Sequence, residues 1–185
     1  MPTPYWQGSR IRLRAVEPSD AEAHFEWNQD VEMTRPLDYV WPPTSRGAVR
    51  RWAETVSLEQ RPADDTLQFE IETLAGELAG SIGTHSCDRR VGSFGYGLAV
   101  RAEHQRKGYA SEAIVLVLRY YFEELRYQKA TIPVYSFNEP SIKLHEQLGF
   151  VREGQLRRMV YTQGQFFDRL YFGMTREEFA ERHGL

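Results

Sequence analysis

The chain has one cysteine, Cys87, so no intrachain disulfide can form. A reducing compartment fits, and the expected location is cytoplasmic. No apolar run approaches a membrane span, and residues 1–10 hold no apolar core of a secretory leader. Neither an extracellular nor a membrane role is expected. Excess charge of one sign is also lacking: the formal net charge is −3, so bulk attraction to nucleic acid is not expected. A local basic patch near residues 101–107 stays open. No segment repeats at a fixed period or is of low complexity. Two phosphate-binding signatures are missing, Gly-x-x-x-x-Gly-Lys-Ser/Thr and the three-glycine dinucleotide fingerprint. That argues against a P-loop nucleotidase and a Rossmann dehydrogenase.

What remains is an ordinary globular composition, 41% hydrophobic and 26% charged. At 185 residues, with no linker-like stretch, the expectation is one domain over 1–185 with a real core. Ile11, Leu13 and Ala15 alternate with Arg12 and Arg14, which reads as a strand with one wet face. Pro18-Ser19-Asp20 starts a helix to about Gln29, and Pro43-Thr44-Ser45 caps another to about Gln60. Between them, residues 33–43 carry three prolines and read as a loop with room for a helical turn. Strands follow over residues 67–74, 79–85 and 91–100, joined by turns at Ala75-Gly76-Glu77 and Asp88-Arg89-Arg90. Gly95 and Gly97 lie inside the third, where glycine marks a bulge or close ligand approach. Apolar residues at helical spacing, Ala110, Ala113, Ile114, Val117, Leu118 and Tyr121, mark a long helix. Residues 129–135 read as a strand, 141–148 as a helix stopped by Gly149, and 150–174 as a hairpin turning near Gln163-Gly164. The order β-α-α-β-β-β-α-β-α-β-β is a mixed α/β plan.

The most informative stretch is Gln105-Arg106-Lys107-Gly108-Tyr109-Ala110, a basic glycine-bearing loop between strand and helix. The first N–H groups of a helix lack internal partners and carry partial positive charge, so a phosphate can dock there. Taken alone, the loop reads equally well as a solvated turn. Downstream residues tip the balance toward a phosphate-bearing cofactor.

These blocks together resemble the GNAT superfamily of acetyl-CoA-dependent N-acetyltransferases. Those carrying the likeness are Ile11-Arg12-Leu13-Arg14, the Pro18-Ser19-Asp20-Ala21 helix start and Gly95-Tyr96-Gly97-Leu98. Residues 105–113, Asn138-Glu139-Pro140-Ser141, the Leu148-Gly149-Phe150 block and Asp168 complete it. Within the superfamily the chain is most similar to the branch that acetylates N-terminal alanine of ribosomal proteins. The resemblance implies an α/β (α+β) fold whose mostly antiparallel sheet splays between its fourth and fifth strands. It implies acetyl-CoA as cosubstrate and no metal. Backbone groups of Leu98, Ala99 and Val100 would meet the acetyl and pantetheine amides, and residues 105–110 the pyrophosphate. Asn138 would bond the pantetheine arm. Ala110 stands where many members have glycine.

Attack of a neutral amine on a thioester needs a base, an oxyanion donor and a donor for the departing thiolate. In the branch it resembles, Ser141 is the proposed thiolate donor; its other reading is a helix-cap or first-turn hydroxyl. His145, one turn later, stands where many members carry a tyrosine acid, or is a packing histidine. No carboxylate precedes Gly95-Tyr96, so the base is left among His85, Glu32, Asp168 and a water chain. The resemblance implies an acceptor side lined by the early helices and the proline-rich loop, where Glu32 and Trp41 lie; with His85 on the strand before Gly95 they are the substrate-side candidates. An α-amine, easier to deprotonate than lysine, is the expected acceptor. A polyamine, amino acid or antibiotic acetyltransferase, or a non-catalytic acetyl-CoA sensor, is the alternative. Aromatics in residues 161–172 make a homodimer or acceptor surface conceivable.

Overall fold

The computed structural model describes residues 4–37, 40, 42–59 and 64–183. Its strands are β1 (Ile11–Arg14), β2 (Gln68–Thr73), β3 (Leu78–Asp88), β4 (Ser93–Val100), β5 (Lys129–Tyr135), β6 (Val151–Thr162) and β7 (Gln165–Thr175). Its α-helices are α1 (Ala21–Trp27), α2 (Val31–Thr34), α3 (Arg46–Leu58), α4 (Tyr109–Arg119), α5 (Glu139–Leu148) and α6 (Arg176–His183). The strands form a seven-stranded sheet in the order β1-β2-β3-β4-β5-β7-β6. The pair β4–β5 is parallel, matching Ser93 with Lys129 and Phe94 with Ala130 and going no further. The pairs β1–β2, β2–β3, β5–β7 and β6–β7 are antiparallel. This is the expected mixed sheet, parting between its fourth and fifth strands.

The chain folds as two compact units, Met1–Thr84 with Gly97–Leu116, and His85–Tyr96 with Val117–Leu185. In the first, β1 buries Ile11 and Leu13 and sends Arg12 and Arg14 the other way. The wet face expected there is observed, with Arg12 exposed, and it carries an ionic network. Arg12 and Arg14 both pair with Glu72, and Arg14 grips both carboxylate oxygens of Asp20 at 2.8 Å. Asp20 also accepts from the Glu17 N–H at 2.8 Å, which fixes the entry to α1. Burial alone would raise the Asp20 and Glu72 carboxyl pKa values, but the arginine partners win and hold both below the usual range. Ser45 caps α3, accepting from the Ala48 N–H at 3.1 Å. Val49 and Ala53 are the buried residues of α3, whereas Trp52 leans its ring on His24, centroids 4.5 Å apart.

In the second unit an aromatic cluster forms the core: Phe94 stacks on Tyr121 at 4.0 Å, with Phe122 and Tyr127 edge-on. Gly149 ends α5 at φ +91, a left-handed conformation that favours glycine. Gln163 and Gly164, both at positive φ, turn β6 into β7.

Four elements depart most from expectation. Strand β3 runs on to Asp88. The helical turn of the proline-rich region lies earlier, at α2, where Asp30 caps the N–H groups of Glu32 and Met33. The long helix is regular only to Arg119, and residues Tyr120–Glu124 wind as a π-turn. Helix α6 was not expected; its buried residue is Phe179, too little periodicity to announce a helix.

Candidate active site

The loop after β4 is built to leave donors free. Ala102–His104 forms a single 3-10 turn, and the Gln105 side chain bonds back to the Val100 carbonyl at 3.0 Å. Arg106 and Gly108 then take positive φ, 59° and 83°. The first bond of α4 runs from the Glu112 N–H to the Gly108 carbonyl, 3.1 Å. Six consecutive backbone N–H groups, residues 106–111, donate to no acceptor among the described residues. Arg106 and Lys107 are exposed and form no ion pair among the described residues. An unpaired N–H row, a helix start and two free cations suit a pyrophosphate. Leu98, Ala99 and Val100 lie on the β4 segment beyond its last pairing with β5.

Helix α5 carries the second group. Asn138 is its N-cap, its Oδ1 accepting from the Ser141 N–H at 3.2 Å. The capping role open to Ser141 therefore belongs to Asn138, and Ser141 sits in the first turn. His145 is 1% exposed. Its Nδ1 lies 2.7 Å from the Ser141 carbonyl, which can only accept, so Nδ1 carries the proton. Nε2 then accepts from the Tyr96 hydroxyl at 3.0 Å. Burial depresses the His145 pKa, the bond to Ser141 opposing it weakly, and burial lifts the Tyr96 phenol well above its ordinary value. His145 is a neutral imidazole with both nitrogens engaged. Tyr96, marked in the sequence only as part of the Gly95-Tyr96-Gly97-Leu98 block, is the partner that spacing along the chain does not reveal. Among the described residues the Ser141 hydroxyl has one hydrogen-bond partner, His145 Nδ1 at 3.4 Å; with Nδ1 as the donor, the hydroxyl's own proton is uncommitted.

The lowered His145 pKa fixes a pH dependence of stability. The unfolded chain protonates this residue near its ordinary value of about 6.5, the folded chain only at lower pH. Stability is full above that value and falls as pH drops below it. Chemical denaturation from pH 7 to pH 5 should show the fall, and His145→Gln should flatten it.

His85 is the residue placed most tellingly among the substrate-side candidates. A β-carbon at Gly95 would sit 2.6 Å from His85 Cε1 and 3.0 Å from the Thr131 carbonyl oxygen. Glycine at position 95 thus makes room for the imidazole against the β4 backbone, one residue past its last pairing with β5. Glu32 is exposed on α2 and makes no ion pair among the described residues. Trp41 lies outside the described residues. Asp168 is committed elsewhere: it accepts from the Arg158 N–H at 2.9 Å and Gln155 Nε2 at 2.5 Å, clasping a bulge in β6. Those bonds lower its pKa. The described residues contain no cluster of three or more His, Cys, Asp or Glu able to hold a metal ion, and no helix long and apolar enough to cross a membrane.

A parallel β4–β5 pair that parts after two residues and a loop of free N–H groups define the class: an acetyl-CoA-dependent N-acetyltransferase. The chain belongs to the GNAT acetyltransferase family, whose domain profile matches residues 10–151. It is 45% identical over 184 residues, all of both chains, to the SPbeta prophage-derived uncharacterized N-acetyltransferase YokL of Bacillus subtilis. It is 30% identical over 174 residues to the putative ribosomal N-acetyltransferase YdaF of the same organism, covering 91% of this chain and 92% of that one. Spermidine N-acetyltransferase from Vibrio cholerae, solved with CoA and spermine, shares the fold. Its TM-score is 0.81 at 21% identity, covering 93% of this chain and 99% of that one.

Proposed function

We propose that this enzyme transfers the acetyl group of acetyl-CoA to the α-amine of a protein or peptide N-terminus. The observation carrying the reading is the His85 imidazole against β4 at Gly95, with no carboxylate beside it on that strand. A lysine-type amine costs about 4–5 kcal/mol to neutralise at pH 7, an α-amine only about 1–1.5. A lone imidazole is a sufficient base for the second. The 30% identity to YdaF along nearly the whole chain supports it too; the fold shared with the Vibrio cholerae spermidine enzyme, at 21% identity, keeps a polyamine acceptor as the second reading.

The residues divide the chemistry as follows. The backbone N–H groups of residues 106–111 hold the pyrophosphate, and Gln105 braces the loop. Leu98, Ala99 and Val100 offer backbone groups to the pantetheine and acetyl amides, one N–H facing the developing oxyanion. Asn138 orders the start of α5 and is the residue we assign to the pantetheine arm. His85 accepts the amine proton as the new C–N bond forms. Ser141 keeps its proton and donates a hydrogen bond to the sulfur as the C–S bond breaks, stabilising a thiolate that takes its proton from solvent, while the Tyr96–His145 pair holds Ser141 in place. The thiolate, with a reference pKa of about 8.5, is a tolerable leaving group. Ser141→Ala should therefore lower kcat only about ten- to a hundredfold, with little change in KM for either substrate, in steady-state assays.

CoA thiol release tests the reading, measured with short peptides, their N-terminally blocked forms, polyamines and aminoglycosides. Turnover confined to free N-termini is expected. Turnover confined to spermidine or a drug would overturn the α-amine reading in favour of the small-molecule alternative. Acetyl-CoA binding without turnover on any amine would favour the sensor.

A further inference from the structure

Glu112 lies in the first turn of α4, where its negative charge would oppose a bound phosphate. Its carboxylate is drawn aside. Oε1 accepts from the Ser9 N–H at 2.5 Å and the Ser9 hydroxyl at 2.8 Å. Oε2 accepts from the N–H groups of Arg10 and Ile11, each at 3.0 Å. Four donors thus occupy one carboxylate and pin the entry of β1 to the helix start. Gly8 completes the fit, because a β-carbon there would collide with the Glu112 carboxylate. The segment so pinned carries Arg10. Its guanidinium packs against the loop where a β-carbon of Gly108 would be, and forms no hydrogen bond or ion pair among the described residues. Gly108 needs to be glycine twice over, for its φ of +83° and for this contact.

We infer that Glu112 is a positioning residue for the cofactor: by clamping residues 9–11 it sets the free charge of Arg10 beside the phosphate-binding loop. The inference rests on reading residues 106–111 as the pyrophosphate cradle. A carboxylate tied by four donors contributes little repulsion to a phosphate. A guanidinium whose own backbone is fixed beside the loop loses less entropy on meeting one than a cation on a free segment.

The test is a KM and kcat comparison of Glu112→Ala, Glu112→Gln, Gly8→Ala, Arg10→Gln and Ala110→Asp, with CoA binding by calorimetry. Glu112→Ala and Arg10→Gln should raise KM for acetyl-CoA about tenfold or more. Their kcat and amine KM should stay within about twofold, and CoA affinity should fall in parallel. Glu112→Gln, which keeps one acceptor oxygen, should fall between. Gly8→Ala should reproduce Glu112→Ala without touching the helix. The double variant Glu112→Ala/Arg10→Gln should be scarcely worse than either single one, because both act through one guanidinium. A kcat loss at unchanged CoA affinity would overturn the inference, as would additive penalties. Ala110→Asp separates the two levels, since a carboxylate at the helix start repels any phosphate held there. Weakened CoA binding in Ala110→Asp but not in Glu112→Ala removes the clamp alone. Unchanged CoA binding in Ala110→Asp removes the cradle reading as well.

Discussion

His85→Ala is expected to lower kcat for a peptide acceptor at pH 7 by about a hundredfold or more, the usual range for loss of a general base. KM for acetyl-CoA should stay within about twofold. The deficit should shrink by pH 9, because an α-amine with a pKa of about 7.7–8.0 is then largely neutral without help. Gly95→Ala provides an independent route to the same result. Its β-carbon would lie 2.6 Å from His85 Cε1 and 3.0 Å from the Thr131 carbonyl oxygen, so the imidazole, the mobile one of the two, must move. Equal losses from both variants, both relieved at high pH, would identify the imidazole as the base. A loss that persists unchanged at pH 9 would point to a positional role instead, and intact kcat in His85→Ala would remove the residue from the mechanism.

Asp20→Ala should destabilise the protein by about 2–4 kcal/mol in urea or guanidinium denaturation. It deletes both bonds to Arg14 and the Glu17 cap in one step. What remains is a guanidinium, only a quarter exposed, that keeps Glu72 but has lost its bidentate partner. Asp20→Asn, which keeps an acceptor for the cap, should lose less. Asp20→Ala combined with Arg14→Met should recover part of the loss, because the stranded charge is gone. The pH dependence follows from the lowered carboxyl pKa values of Asp20 and Glu72. Their contribution is present above the ordinary carboxylate pKa of about 4 and is lost as pH falls below it toward the folded values. In Asp20→Ala the acid limb of the stability curve should be shallower.

The elements were legible where local chemistry dictates them. Alternation at Ile11 and Leu13, the Ser45 cap, the periodic face of α4, the stop at Gly149 and the Gln163-Gly164 turn are set by neighbours in sequence, and each is observed. So was the loop at residues 105–110, because a glycine between a strand and an amphipathic helix marks a turn at positive φ, which Gly108 adopts freely. What local pattern does not carry is which polar side chains meet. Arg12, Arg14 and Glu72 look like a wet face until β1 and β2 pair and bring them together. His24 and Glu70 look like surface residues, yet they form a buried pair at 2.7 Å. Glu112 and Ser9 are 103 residues apart, and Tyr96 and His145 are 49 apart. The Tyr96 hydroxyl is the sharpest case. The alternation of β4 shows that it shares a face with Phe94 and Leu98, but its partner comes from a helix formed much later in the chain. Helix α6 was missed for the opposite reason: an almost wholly polar octet buries one phenylalanine and has no stripe to read.

The most direct test of the central claim uses a peptide with both a free N-terminus and an internal lysine. It is incubated with enzyme and acetyl-CoA in competition with spermidine, and the products are mapped by fragmentation mass spectrometry. Acetyl on the α-nitrogen, with the lysine and spermidine unmodified, is the result expected. Acetyl on the lysine side chain, or on spermidine alone, would contradict the account.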